Sequence, residues 1–286
     1  MLYTNRVCNG NPEGRTGRVE RREMAKREQT PAPDGLPAGV AAAWGLRERP
    51  GRGPARGLDV RRIVAAAIGV ADAEGLAALS MSRVAAEVGV STMALYRYVA
   101  GKDDLLILME DAAIGTPPPG PEPSPEGWRA GLEHWARAYR DVLLRHLWIV
   151  RIPIGTPPLS PHGVEWMEQA LAHLRGTGLD AERKLGALIT LSGYIRSSVA
   201  LLADIAEASR QQGSGWEDAE RRYWRLLSEL TATGGFPAVR ELLASGEVHQ
   251  TAPGDTEGTA DFAYGLGIVL DGVGARIAAC SPGDGG

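Results

Sequence analysis

Between Leu79 and Leu105 the chain reads Leu-Ser-Met-Ser-Arg-Val-Ala-Ala-Glu-Val-Gly-Val-Ser-Thr-Met-Ala-Leu-Tyr-Arg-Tyr-Val-Ala-Gly-Lys-Asp-Asp-Leu, and this stretch leaves the backbone little choice. Ser80 or Ser82 is placed to cap a helix whose Val84, Ala85 and Val88 share one apolar face. Gly89 supplies the permissive backbone of a sharp turn. Ser91 is a second cap, so Thr92 opens another helix, in which Leu95 and Val99, four apart, point inward together. Thr92, Met93, Ala94 and Tyr96 are left on the outer side. Lys102 then leads into a third helix, where free N–H groups and the helix dipole attract an anion such as phosphate. Two short helices about a tight turn make a helix-turn-helix, whose second helix fits the DNA major groove.

The flanking segments extend the helical pattern. Val60, Val64, Ala67, Ile68 and Ala71 recur at spacings of three and four, with Gly75 marking the stop. A fourth helix from Lys102 to about Ile114 carries Leu105, Leu106, Leu108 and Met109. The run Thr116-Pro-Pro-Pro-Gly-Pro-Glu-Pro-Ser-Pro125 excludes helix and divides the chain. Beyond it, Trp128, Leu132, Trp135, Tyr139, Val142, Leu143 and His146 form one broad stripe over 127–147. Shorter helices are expected at 161–175, 217–230 and 237–244. Asp180 caps a long helix reaching about Gln211, with Leu185, Leu188, Ile189, Ser192, Ile195, Val199 and Leu202 on one side. A last helix covers about 259–279. No segment reads as a strand, so the chain is expected to be all-α.

The 286 residues suffice for two cores. The net charge of −4 conceals an asymmetry: residues 1–57 hold 11 Lys/Arg against 6 Asp/Glu, and residues 103–286 hold 15 against 25. A basic end and an acidic remainder suit DNA contact on one face only. Residues 1–56 are rich in Arg, Gly and Pro and are expected to be a disordered basic extension, with a charged helix possible over 19–28. Arg47, Arg49, Arg52 and Arg56 could act as an arm reaching a minor groove. Met24 is an alternative start, which would make 1–23 foreign to the native chain. The expected organisation is therefore the extension 1–56, a helix-turn-helix domain 57–114, a Pro-rich linker 115–126, a helical domain 127–281 and a disordered tail 282–286.

Residues 58–114, and above all the Ala-Leu-Tyr-Arg-Tyr-Val-x-x-Lys run at 94–102, resemble the N-terminal domain of the TetR family of bacterial transcriptional regulators. More loosely, the helix order of the second half and its ending Phe262-Ala-Tyr-Gly-Leu-Gly-Ile-Val-Leu-Asp-Gly-Val resemble that family's C-terminal ligand-binding and dimerisation domain. The resemblance implies a cytoplasmic homodimer that binds a double-stranded DNA operator and leaves it when a small-molecule effector binds. It implies dimerisation through the helices at 180–211 and 259–279. It places Ser82, Thr92, Met93 and Ala94 at base-facing positions, and Ser91, Tyr96, Tyr98 and Lys102 at phosphate-contacting ones. Met93 and Ala94 offer only apolar contact, for instance to a thymine methyl. The family's effector region contains Trp135, Tyr139, Trp148, Trp166 and Tyr194, with Arg151 and His162 as polar candidates. Aromatic walls with a few polar groups suit a flat, partly polar ligand.

Other functions find less support in the residues. Neither GxSxG, HExxH nor a P-loop occurs, and the five histidines are scattered. No catalytic, metal or cofactor site is expected, and Cys8 and Cys280 make neither a zinc motif nor a disulfide framework. Gly265 and Gly267 lack the preceding strand and full GxGxxG of a dinucleotide loop; with Gly272 and Gly274 they are explained either by close helix approach or by fraying of the segment. The longest apolar candidate, 185–205, is interrupted by Arg196, so no membrane partner is expected. An architectural or non-specific DNA binder is the alternative to a sequence-specific regulator.

Overall fold

The computed structural model describes residues 35–46, 58–153, 158–212, 216–246 and 258–280, and the regular elements among them are all helical. They are α1 (Ala38–Ala43), α2 (Val60–Glu74), α3 (Met81–Val88), α4 (Thr92–Leu95), α5 (Lys102–Ile114), α6 (Trp128–Arg145), α7 (Pro161–His173), α8 (Ala181–Gln212), α9 (Trp216–Thr231), α10 (Pro237–Ala244) and α11 (Thr259–Cys280). Short 3₁₀ turns occupy Leu76–Ala78 and Leu147–Arg151.

Local chemistry sets the ends of the first helices. Asp59 accepts the Arg62 N–H at 2.8 Å to start α2, and Gly75 at φ 81° ends it. Ser80, of the two candidate serines, caps α3 by accepting the Arg83 N–H at 3.1 Å. Gly89 closes α3 in the left-handed region at φ 75°, which a side chain would strain. Ser91 accepts the Ala94 N–H at 3.2 Å and opens α4. The core beneath joins Ile63, Ala67, Val84, Leu95, Val99, Leu105 and Met109, all essentially inaccessible to solvent. On α2 the buried face runs through Ile63, Val64, Ala67, Val70 and Ala71. It lies slightly round the helix from the stripe Val60, Val64, Ala67, Ile68 and Ala71 read in the sequence, of which Val60 and Ile68 are only half-buried.

In the second half, α6 packs against α7, α8 and α11. Leu132, Trp135, Ala136 and Leu143 of α6 meet a core that includes Leu191, Ile195 and Val199 of α8, and Phe262, Leu266 and Leu270 of α11. The long stripe expected on α8 divides. Ile195 and Val199 turn inward with Leu191, whereas Ile189 is 71% exposed and Leu185 is also exposed. The core needs only one narrow face of so long a helix. Leu201 of α8 and Tyr264 and Ile268 of α11 are likewise uncovered. By length and composition alone, α11 and the 181–205 part of α8 are apolar enough to span a membrane, contrary to the expectation from Arg196.

The extension departs from its expected disorder at one place. Helix α1 buries Gly39, Val40 and Ala41 against α5. Arg47, Arg49, Arg52, Arg56, the possible helix at 19–28, Met24, Cys8 and the tail 282–286 lie outside the described residues. The Pro-rich run is non-helical as expected but lies against the helices: the Gln169 side-chain amide donates to the Pro118 carbonyl at 2.8 Å.

The four glycines of α11 prove unequal. A Cβ on Gly265 would lie 2.3 Å from the Tyr194 hydroxyl, while Gly267 and Gly272 face open space. Tyr194 is held there because its hydroxyl donates to the Phe262 carbonyl at 2.8 Å and its ring stacks on Phe262. Gly265→Ala is therefore expected to destabilise the protein by about 1–3 kcal/mol through overpacking, whereas Gly267→Ala should be neutral or mildly stabilising through helix propensity. Thermal unfolding of the two variants side by side checks this.

Candidate nucleic-acid interface and effector site

The caps and turn of α3 and α4 fix which side chains face outward. Met93 is 77% exposed and Tyr96 is exposed, while Leu95 between them is fully buried. Ser82 and Ser91 are exposed, and Thr92, Ala94 and Tyr98 are partly so. Ser91 is committed to its cap, and the Ser82 hydroxyl lies 3.1 Å from that of Ser80. Lys102 Nζ donates to the Leu79 carbonyl at 2.8 Å. It thus ties the start of α5 to the end of the first 3₁₀ turn, a structural task that the sequence did not show. Arg83 is also engaged: its guanidinium bonds Glu74 and Glu87, each at 2.6 Å, and the bond to Glu74 is the chief reason its pKa is raised. Exposed Arg97 lies between Tyr96 and Tyr98 at the end of α4.

The effector candidates separate into three places. Trp135, Tyr139 and Trp166 form one cluster, with ring centroids 5.3–5.8 Å apart. Both indoles are tied down: Trp135 donates to the Trp166 carbonyl at 2.9 Å and Trp166 to the Gly115 carbonyl at 2.8 Å. Trp148 lies elsewhere. Its indole donates at 2.7 Å to Asp72 of α2, which also meets His146 Nδ1 at 2.9 Å, so it joins the two halves. Tyr194 belongs to the α8–α11 contact, and exposed Arg151 pairs with Asp204. His162 joins Asp111 of α5: its backbone N–H donates to Oδ1 at 2.8 Å and its ring nitrogen lies 3.0 Å from Oδ2.

Glu110 and Arg196 complete the polar side of the aromatic cluster. Arg196 donates to the carbonyls of Ile149 and Ile152 at 3.1 and 3.3 Å and lies 3.9 Å from Glu110. Burial raises the pKa of Glu110, while Arg196 opposes the shift. Burial likewise raises that of Tyr139, again against Arg196. A half-buried acid and a guanidinium thus border three mutually packed aromatic rings, of which Tyr139 is partly exposed and the two indoles are buried. Glu110 ends an apolar run and gave no periodic signal of this position. No group of three or more metal-ligating side chains occurs among the described residues.

Comparison with known proteins bears on both regions. Residues 63–109 match the family described as bacterial regulatory proteins, tetR family. Residues 120–277 match the tetracyclin repressor-like C-terminal domain. The chain is 37% identical over 240 residues to the HTH-type transcriptional repressor DrrR1 of Streptomyces coeruleorubidus, covering 82% of this chain and 84% of that one. Among solved structures it resembles apo ActR from Streptomyces coelicolor, with a TM-score of 0.63 and 30% identity over 78% of this chain and 98% of that one. It also resembles ActR in complex with actinorhodin, with a TM-score of 0.61 and 31% identity over 77% and 97%.

Beside the aromatic cluster, the α6–α7 contact holds an acid-sensitive group. His173 is buried with its Nδ1 against Gly131 and no hydrogen-bond partner among the described residues. Burial lowers its pKa, and His134 lowers it further. The folded protein therefore keeps this imidazole neutral while the unfolded chain takes up a proton below about pH 6.5. Its contribution to stability is full above that pH and is lost as the pH falls. Thermal unfolding between pH 7.5 and 5.5 should show a shallower decline for His173→Leu than for the native protein.

Proposed function

The chain belongs to the tetR family of bacterial regulatory proteins, and we propose that it acts as a cytoplasmic homodimeric repressor which reads its operator through α4. The protein is a sequence-specific DNA-binding transcriptional regulator of a family that governs transcription rather than catalysing a reaction. The observation that carries the proposed reading is the outward face of α4, with Met93 and Tyr96 exposed on either side of buried Leu95. Thr92, Met93, Ala94 and Ser82 would face base edges, and Ser91, Tyr96, Tyr98 and Lys102 would approach phosphates. Lys102, already bonded to Leu79, would meet a phosphate with its remaining donors.

The effector we infer is a planar, conjugated molecule with hydroxyl or carboxyl groups on its rim, bound beside Trp135, Tyr139 and Trp166. Tyr139, the partly exposed ring of the three, would offer stacking surface backed by the buried indoles, while Glu110 and Arg196 would supply one acceptor and one cation. ActR from Streptomyces coelicolor, 31% identical to this chain, has been solved in complex with actinorhodin, which supports a small-molecule effector here. His162 stays a candidate contact, whereas Trp148, Arg151 and Tyr194 are committed to other partners and are less suited to the role.

Dimerisation would cover the apolar side chains that this chain leaves open on α8 and α11. Leu185, Ile189, Leu201, Tyr264 and Ile268 are unusual at the surface of a monomer, and two such helices side by side offer a matching face to a second copy. A carboxylate at the centre of that face would be buried without a partner. Ile189→Asp is thus expected to convert a dimer to monomers in sedimentation at micromolar concentration while retaining helical circular dichroism.

Selection of bound DNA from a random library tests the function. The native protein should enrich an inverted repeat, and Tyr96→Ala should lose at least tenfold in affinity for it. Enrichment of no sequence by a folded native dimer would overturn the operator reading and favour non-specific binding.

A further inference from the structure

The extension contributes a structural element that lies outside both matched domains. Helix α1 runs against α5, and the approach is too close for a side chain: a Cβ on Gly39 would fall 2.8 Å from the Asp104 carbonyl oxygen and 2.9 Å from its Cα. The Gly39 N–H donates to Asp104 Oδ1 at 2.7 Å, while Val40 and Ala41 are buried. Such a contact is specific, since the backbone of one helix reaches the backbone of another only where a glycine permits it. At its far end α1 closes through Gly45 at φ 68°. Trp44 then reaches across to the second half, donating its indole N–H to the Leu159 carbonyl at 2.6 Å, just ahead of α7.

One short segment therefore touches the first turn of α5, beside Lys102, and the chain leading into α7. We infer that α1 and Trp44 form a strap that fixes α5, and with it the DNA-reading helices, against the effector-binding half. The strap restricts the angle of the head to a narrow range. A head restricted in this way meets its operator without first losing orientational freedom, so loosening the strap lowers operator affinity by the fraction of molecules that remain aligned. The consequence for DNA rests on the regulator reading above; the mechanical role of the strap does not.

The experiment uses the full chain with Gly39→Val, which wedges α1 away from Asp104, and Trp44→Phe, which removes only the bond to Leu159. Amide hydrogen exchange is followed over 105–109 of α5 and at His162 and Val164 of α7, whose N–H groups are bonded to Asp111 and Ser160, without DNA. Gly39→Val is expected to speed exchange in both segments at least fivefold while the midpoint of thermal unfolding of the second half stays within about 2 °C. Trp44→Phe should do so at His162 and Val164 alone. Unchanged exchange in both variants would overturn the strap. In the second arm, affinity for the selected inverted repeat should fall about tenfold in Gly39→Val, and equal affinity of the native and variant proteins would overturn its role in DNA binding. Failure of the native protein to select any sequence would sink the operator reading and leave the exchange result to stand or fall alone.

Discussion

One helix has to serve two cores. Helix α5 supplies Leu105 and Met109, both fully buried, to the packing beneath α3 and α4. Its other end reaches α7 through Asp111 and Gly115. A helix that packs on several sides must be apolar on several sides, which accounts for the run Leu105-Leu-Ile-Leu-Met109. The position of this helix bears on where the DNA-reading helices sit, because it packs on α2, which packs on α3, and Lys102 bonds Leu79 just ahead of α3. Any change in how α5 meets the second half is passed to the head as a rigid displacement, since close-packed cores do not yield gradually.

The contacts that hold α5 and its neighbours to their surroundings are more directional than apolar packing alone. Asp72 accepts from Trp148 and meets His146, Asp104 accepts from Gly39, and Asp111 meets His162 through both carboxylate oxygens. Each carboxylate joins segments far apart in the chain. Ionised carboxylates make shorter, stronger hydrogen bonds than neutral acceptors, and their geometry permits little rotation. Burying them is costly, so such groups contribute more to a particular arrangement than to total stability. That property suits a junction where two domains must meet at a defined angle and still be able to part.

The legible parts of the sequence were those with local causes. Gly75, Gly89, Ser91 and Asp180 mark their helix ends through groups within four residues and could be read directly, whereas the cap of α3 was open between Ser80 and Ser82, and α4 stops at Leu95, short of the Val99 that the sequence placed in it. What escaped depended on partners remote in sequence. Gly39 and Val40 look like part of a polar, glycine-rich extension until Asp104, 65 residues away, is brought beside them. Trp148 has the composition of a ligand wall but finds Asp72, 76 residues away. Trp135, Tyr139 and Trp166 do converge, and Arg196, which the sequence allowed to face either a ligand carboxylate or solvent, lies beside them, yet Glu110 carried no pattern. Periodicity on α8 named apolar residues correctly but could not say which face the chain itself would cover.

That last ambiguity has a physical resolution. The polar groups of the two most apolar helices are already used within this chain: Arg196 donates to Ile149 and Ile152, Arg151 pairs with Asp204, and Arg129 pairs with Asp271 at 2.8 Å. A lipid-facing arrangement would have to break these bonds or carry them into hydrocarbon, where each unsatisfied group is expensive. Covering the same apolar stripe with a second copy leaves every one of them intact. The close approach at Gly265 and Tyr194 holds α8 and α11 side by side, and each leaves apolar residues on its exposed face. Pairing that face about a two-fold axis would also place two copies of α4 in a fixed relation, as an inverted repeat demands. The helix that leaves Ile189 exposed and, two turns further on, covers Arg196 would thereby connect assembly, effector binding and the spacing of the DNA-reading heads.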